Sequence, residues 1–205
     1  MNKIGIIDTG IANLGSLQST VRELGAEFGI ISDANININE YSHYLLPGVG
    51  AFESGMGSLN KSGLDDVVLK VHAMGLPLMG ICLGMQLLCS GSEENDTVIN
   101  GLSIFDTHVK KMGRNEDGFW PKIGWSPVHH KEESPLLKGI PSGEDFYFIH
   151  GYSVALNGAT MSSADFAGEY SAIISNGHTY GVQFHPEKSQ KYGLRLLKNF
   201  FEIAI

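Results

Sequence analysis

The segment Gly80-Ile81-Cys82-Leu83-Gly84 sets a thiol between two glycines at the spacing Gly-x-Cys-x-Gly. This is the thiol counterpart of the Gly-x-Ser-x-Gly nucleophile elbow. A sharp strand-to-helix turn strains the backbone at the nucleophile, so its close neighbours Gly80 and Gly84 must lack side chains. The turn also puts the sulfur at the start of a helix, where aligned peptide dipoles and a nearby imidazolium favour the attacking thiolate. Such a nucleophile needs a histidine to collect and return a proton, and a third group to fix that ring's tautomer. Of eight histidines, His185 stands out in Phe184-His185-Pro186-Glu187-Lys188-Ser189. It ends an apolar run, Glu187 follows two residues later, and Pro186 stiffens the link between imidazole and carboxylate. Cys82, His185 and Glu187 are the candidate catalytic residues.

Attack on a carbonyl creates an oxyanion that needs donors. Pro47-Gly48-Val49-Gly50 follows an apolar run and can aim backbone N–H groups at such a charge, together with the N–H of Leu83 after the nucleophile. Gly48, Val49, Gly50 and Leu83 are therefore the candidate oxyanion hole, where losing one donor typically costs about 3–4 kcal/mol of barrier. The same glycines do not form a dinucleotide fingerprint, because position 53 is Glu where Gly-x-Gly-x-x-Gly requires glycine. Cys89 reads as a buried structural thiol in the apolar middle of the helix after the elbow. His129-His130 resembles a metal pair, but adjacent side chains point apart and no third ligand lies at a usual spacing. A solvated turn is expected there, and no metal site.

Elements that could hold these residues follow from periodicity. Lys3 to Ile7, Phe28 to Ser32, Tyr44 to Leu46 and Pro77 to Cys82 read as strands. Gly15 to Leu24, with Leu17, Val21 and Leu24 on one face, Leu64 to His72 and Gly84 to Cys89 read as helices. This βαβ alternation predicts a parallel sheet covered on both faces. The second half predicts shorter strands at Ser103 to Lys111, Phe146 to Tyr152, Ala172 to Ser175 and Thr179 to Phe184, then a helix from Ser189 to Glu202. That helix carries Leu194, Leu197, Phe200 and Phe201 on an apolar stripe. No linker or repeat divides residues 1–205, so the expectation is one α/β domain with a mixed, mostly parallel central sheet flanked by helices. Strand ends and the loops after them would bring His185 to Cys82.

Bulk properties narrow the function classes. A chain of 205 residues with 42% hydrophobic and 18% charged residues can bury one core and is not disordered. A net charge of -8 argues against nucleic acid as the main partner. No apolar run approaches the roughly 18 residues of a membrane span. Two cysteines seven residues apart make neither a disulfide scaffold nor a zinc pair, and the N-terminal residues lack a signal-peptide pattern. A cytoplasmic enzyme is expected, so the sequon Asn95-Asp96-Thr97 carries no weight.

Three motifs together, Pro-Gly-Val-Gly at 47–50, Gly-Ile-Cys-Leu-Gly-Met-Gln at 80–86 and Gln-Phe-His-Pro-Glu-Lys-Ser at 183–189, resemble the class-I, triad-type glutamine amidotransferase family across nearly the whole chain. More narrowly, the sequence is similar to the amidotransferase subunits of imidazole glycerol phosphate synthase, with Asp8, Asn13-Leu14, Ser92-Glu93-Glu94, Gly124-Trp125 and Tyr147-Phe148-Ile149-His150 in support. The resemblance implies a flavodoxin-like type-1 amidotransferase domain that hydrolyses L-glutamine and hands ammonia to a cyclase (synthase) subunit in a heterodimer. It implies that Gln86 helps hold glutamine, that Asn13, Pro121, Trp125, Tyr147 and Lys188 face the partner, and that no cofactor is needed. The sequence departs from the subunit's usual pattern at Lys122, Ser126, Gly151 and Ala12, all in partner-facing segments. A paralogous subunit feeding a sugar amidotransferase in surface-polysaccharide synthesis therefore stays open. So do two other classes: a stand-alone hydrolase or cysteine peptidase on the same scaffold, and a binding subunit with a relic triad.

Overall fold

The computed structural model describes residues 3–94, 98–115 and 118–204; the sequon at 95–97 lies outside them. The first half alternates as its periodicity predicts: β1 (Lys3–Ile7), α1 (Leu14–Glu23), β2 (Glu27–Ile31), β3 (His43–Gly48), α2 (Phe52–Ser62), α3 (Leu64–Ala73), β4 (Leu78–Cys82) and α4 (Leu83–Leu87). The second half is strand-rich: β5 (Cys89–Ser92), β6 (Ile99–Asn100), β7 (Phe105–Lys111), β8 (Lys122–His130), β9 (Glu144–His150), β10 (Tyr152–Val154), β11 (Thr160–Asp165), β12 (Glu169–Asn176) and β13 (Thr179–Val182), closed by helix α5 (Gln190–Phe201).

The central sheet runs in the order β2-β1-β3-β4-β13-β12-β11-β8-β9. From β2 to β13 neighbouring strands are parallel, and from β13 to β9 they are antiparallel. The mixed α/β sheet is as expected. Its parallel half is buried on both sides, and the alternation of side chains sorts residues between two cores. Ile4, Ile6, Leu45, Met79 and Ile81 join Leu17, Val21, Leu196, Leu197 and Phe200 of α1 and α5 on one face. Ile7, Tyr44, Leu46 and Leu78 join Met56, Leu59, Leu64 and Val68 of α2 and α3 on the other. A small second sheet, β10-β7-β5-β6, packs on this second core.

Several expectations need correction. Helix α4 stops at Leu87, and Cys89 opens β5 opposite Phe105 instead of lying mid-helix. Cys89 is nonetheless a buried free thiol, pushed up to about 12 by burial. His129 and His130 are not in a turn; they end β8, with His130 opposite Ser162. Helix α2 has no counterpart in the sequence reading, because Ser54, Gly55, Gly57 and Ser58 look like a loop. Strand β8 was hidden by Gly124 and Pro127, and β11 by its serines.

Among the glycines, the closest backbone approach lies at the elbow. A Cβ on Gly84 would overlap the backbone carbonyl oxygen of Leu46 on β3, and one on Gly80 would come within 2.7 Å of the Gly84 carbonyl. Both obstacles are backbone and cannot swing aside. Gly84→Ala is expected to destabilise the chain by about 3 kcal/mol, or roughly 6–12 °C in Tm for this size. Alanine at Gly57, which meets nothing within 4 Å, gives the thermal-denaturation control and should cost little or nothing. Equal melting of both variants and the parent chain would show that the elbow is not so confined.

Candidate active site

Cys82 is the last residue of β4 and carries φ 54° and ψ -111°. This is a left-handed backbone that non-glycine residues adopt only under constraint, and such strain clusters at functional sites. Its side chain is buried, at 5% exposure. The sulfur lies 3.7 Å from the Ile149 carbonyl oxygen and 3.8 Å from Nε2 of Gln183. Because α4 is only five residues long, it supplies less dipole than the longer helix read from sequence.

His185 arrives from the neighbouring strand. β13 pairs parallel with β4, Val182 opposite Ile81, so the residues following each strand emerge at the same edge. The His185 N–H donates to the Tyr147 carbonyl at 2.9 Å. The Ser189 hydroxyl donates to the His185 carbonyl at 2.6 Å and accepts from the Tyr147 N–H at 3.0 Å. A 3-10 turn over Pro186–Lys188 then returns Glu187 to the ring, with Oε1 2.8 Å from Nδ1 of His185. The carboxylate thus fixes the tautomer, leaving Nε2 for chemistry. That nitrogen is buried and has no hydrogen-bond partner among the described residues. Burial opposes a charge on His185, but the Cys82 sulfur and the Glu187 carboxylate together outweigh it and raise the imidazole to about 10. A cationic ring beside Cys82 can act as acid to a leaving group and then as base to water.

Gly48 ends β3 directly opposite Cys82, and Gly50 has φ 103°. Val49, Gly50, Cys82, Leu83 and Gln86 line one cavity of about 170 Å³ with Glu94 and the segment Ile149 to Tyr152. A second, narrower cleft of about 20 Å³ holds Asn13, Gly48, Val49, His185, Glu187 and Lys188. A larger depression, about 790 Å³ around His130 to Ser134, is an open groove that shares no lining residue with the Cys82 cavity. Its size is therefore no guide to chemistry.

The proposed triad, oxyanion segment and Gln86 are thus brought together. Among the residues expected to face a partner, Asn13 and Lys188 share the narrow cleft. Lys188 Nζ stands 5.9 Å from the Tyr147 ring, which packs edge-on against Trp125. Trp125 is 43% exposed, so it is not a core aromatic. Pro121 is exposed just before β8, outside that stack. Sequence reasoning gave no role to Gln183 or Glu94. Glu94 Oε2 accepts from the Phe52 N–H at 2.7 Å while its residue lines the cavity. Gln86 donates from Nε2 to the Tyr152 carbonyl and to Gln183 Oε1, both at 3.0 Å. Only its Oε1 is left for a ligand, so Gln86 can serve as an acceptor.

The sequence matches the glutamine amidotransferase class-I family over residues 5–204. It is 38% identical to "Imidazole glycerol phosphate synthase subunit HisH" of Xylella fastidiosa over 203 residues, covering 99% of this chain and 98% of that one. It is 39% identical to the subunit of the same name from Moorella thermoacetica, covering 100% and 96%. Among solved structures, a glutamine amidotransferase from Thermotoga maritima superposes with a TM-score of 0.69 at 19% identity, covering 98% of this chain and 81% of that one. PurLQS from the same organism superposes with 0.73 at 15% identity, covering 98% and 99%. These two likenesses speak for the fold.

The charge on His185 generates a pH signature. A pKa raised from 6.5 to about 10 on folding stabilises the native state fully below the unfolded value, and that contribution is lost as pH rises through about 10. Glu187→Gln removes one of the two groups that raise the ring. In an NMR titration the His185 ring of the variant should therefore lose its proton about one pH unit or more below the parent. The Tm gap between the two proteins should be full at and below neutral pH and close as pH rises toward ~10. A parent ring already neutral at pH ~7 would contradict the assigned pair.

Proposed function

Because this chain belongs to the class-I glutamine amidotransferase family, we propose that it is a glutaminase subunit that cleaves L-glutamine and delivers ammonia to a cyclase (synthase) partner for imidazole glycerol phosphate formation. The observation that carries the reading is the strained Cys82 elbow beside the Glu187-oriented, cationic His185, opening onto a cavity sized for an amino acid. The match over residues 5–204 supports taking the whole chain as one amidotransferase domain. The cytoplasm is the compartment that keeps a free thiol nucleophile reduced.

The cycle proceeds in two halves. The Cys82 thiolate attacks the side-chain amide carbon of glutamine, and backbone donors of the Val49 segment and Leu83 hold the tetrahedral oxyanion. As the C–N bond breaks, His185 gives its proton to the leaving ammonia, and a thioester remains on Cys82. The neutral ring then takes a proton from water, whose oxygen attacks the thioester, and glutamate leaves with the thiolate restored. Glu187 holds the ring throughout. The Glu94 carboxylate and the Gln86 carbonyl are acceptors suited to the substrate's α-ammonium.

The partner reading draws support from exposed apolar residues around the site: Val49, Ile123, Trp125 and Ile149. Ile123 pairs with Ile149 and Trp125 with Tyr147 across β8 and β9, so these side chains make a continuous apolar stripe. Such a patch on the rim of a catalytic cleft marks an interaction surface. With Asn13, Pro121 and Lys188 it forms the face assigned to the cyclase. Ammonia would be protonated in bulk water, so a docked partner that seals its exit is the physically sensible arrangement.

Glutaminase turnover of the isolated chain should be slow and should rise about 5–150-fold, the usual span of a coupling free energy, when a cyclase subunit and its imidazole-pathway acceptor are added. Full-rate turnover without the partner would break the proposed coupling. Labelling of Cys82 by an electrophilic glutamine analogue with no stimulation would retain the glutaminase and move the acceptor to another pathway, sugar amidation first.

A further inference from the structure

Gln183 is fully buried between β13 and His185, and neither the triad nor the oxyanion segment accounts for it. Its amide orientation follows from a single fixed group. The Tyr152 carbonyl can only accept, so the end of Gln86 that meets it at 3.0 Å must be the NH₂. The same NH₂ meets Gln183 at 3.0 Å, so the facing atom of Gln183 must be its carbonyl oxygen. The Gln183 NH₂ is thereby turned to the Cys82 sulfur, 3.8 Å away, a long contact but within reach for the large sulfur atom.

We propose that Gln183 is a further residue of the reaction, whose side-chain N–H donates to the Cys82 sulfur in an orientation relayed from the Tyr152 carbonyl through Gln86. The proposal rests on the glutaminase reading and names a second donor for its nucleophile. The two contacts at the sulfur have opposite preferences. The Ile149 carbonyl oxygen at 3.7 Å accepts from a thiol and repels a thiolate. Gln183 favours the thiolate, since an N–H donor is worth more to an anion than to a neutral acceptor. With His185 it offsets the cost of holding an anion in a buried site. The relay also commits both N–H groups of Gln86 to protein acceptors, which keeps its carbonyl aimed at ligand donors. Gln86 thereby links the substrate pocket to the nucleophile.

The test uses the full chain and its Gln183→Met and Gln183→Glu variants, with circular dichroism to establish folding. Iodoacetamide alkylation of Cys82 is followed across pH, and Cys82→Ser gives the background from Cys89. Losing a donor to an anion should move the alkylation profile of Gln183→Met up by about one pH unit and slow it about tenfold at neutral pH. Glutamine kcat, measured with the cyclase subunit and its acceptor present, should fall by about tenfold with KM changed by less than about threefold. Gln183→Glu keeps the side-chain shape and faces the sulfur with a carboxylate, so it should move the profile further in the same direction. It also serves as the test if the methionine variant does not fold. A folded variant of either kind with the parental profile and kcat overturns the proposal. A parent chain that alkylates at Cys82 but hydrolyses no glutamine even with the cyclase subunit and its acceptor present, and is not labelled by an electrophilic glutamine analogue, sinks the glutaminase reading instead, and the sulfur contact is then judged by the profile alone.

Discussion

The site depends on backbone meeting backbone at the elbow. β4 can turn into α4 beneath Cys82 only because Gly84 lies against the Leu46 carbonyl and Gly80 against the Gly84 peptide. That contact locks the register of β3 against β4, setting Gly48 opposite Cys82. It thereby positions the Val49 segment beside the nucleophile. β13 is held on the other flank of β4 by parallel pairing, so the chain after it has one available place to go. Burial on both faces makes this register stiff, because a one-residue slip would exchange the side chains of two cores. The strain at Cys82, of the order of 1–3 kcal/mol for such a backbone, is carried by this surrounding close packing.

About a hundred residues separate the nucleophile from its base, and the antiparallel half of the sheet spans that distance. Strand β9 is its far edge, yet it returns to the site. The Ile149 carbonyl touches the sulfur, the Tyr147 carbonyl holds the His185 N–H, and Ser189 bonds both β9 and His185. Each of these contacts uses main-chain atoms of β9. Its side chains are left free to alternate between the core residues Phe146, Phe148 and His150 and the outward-facing Tyr147 and Ile149. His150 is held well below the ordinary histidine range, at about 4, chiefly by burial. It therefore adds no charge to compete with His185.

What could be read from the sequence follows from which contacts are local. The glycines around Cys82 and the two-residue step from His185 to Glu187 are short-range demands, so residue type and spacing exposed them. The parallel strands were legible because burial on both faces leaves continuous apolar runs. Helix α2 was not, since Gly55 answers to a distant neighbour: a Cβ there would lie 3.0 Å from Leu87 of α4. Cys89 was misplaced because Leu87-Leu88-Cys89 continues an apolar run past the helix end, and periodicity cannot separate a short helix from the strand that succeeds it. Gln183 carried no signal of its own, because its partners Gln86 and Cys82 are about a hundred positions away.

One further property follows from the two openings around the triad. Val49 belongs both to the cavity that holds Cys82, Gln86 and Glu94 and to the narrow cleft that holds His185, Lys188 and Asn13. Its segment is therefore the wall between them, and it is also 38% exposed. In the proposed function the first opening takes glutamine and the second faces the cyclase. On that reading, a partner seated over Asn13 and Lys188 would bear on the segment proposed to donate to the oxyanion. On the same reading no long pathway would be needed to couple acceptor binding to glutamine cleavage, because the Val49 segment borders both openings. The elbow is held by buried backbone contacts, the His185 turn by main-chain and Ser189 hydrogen bonds, and Gln86 and Gln183 by each other's side chains, whereas Gly50 holds φ 103°, a backbone that glycine adopts at no steric cost.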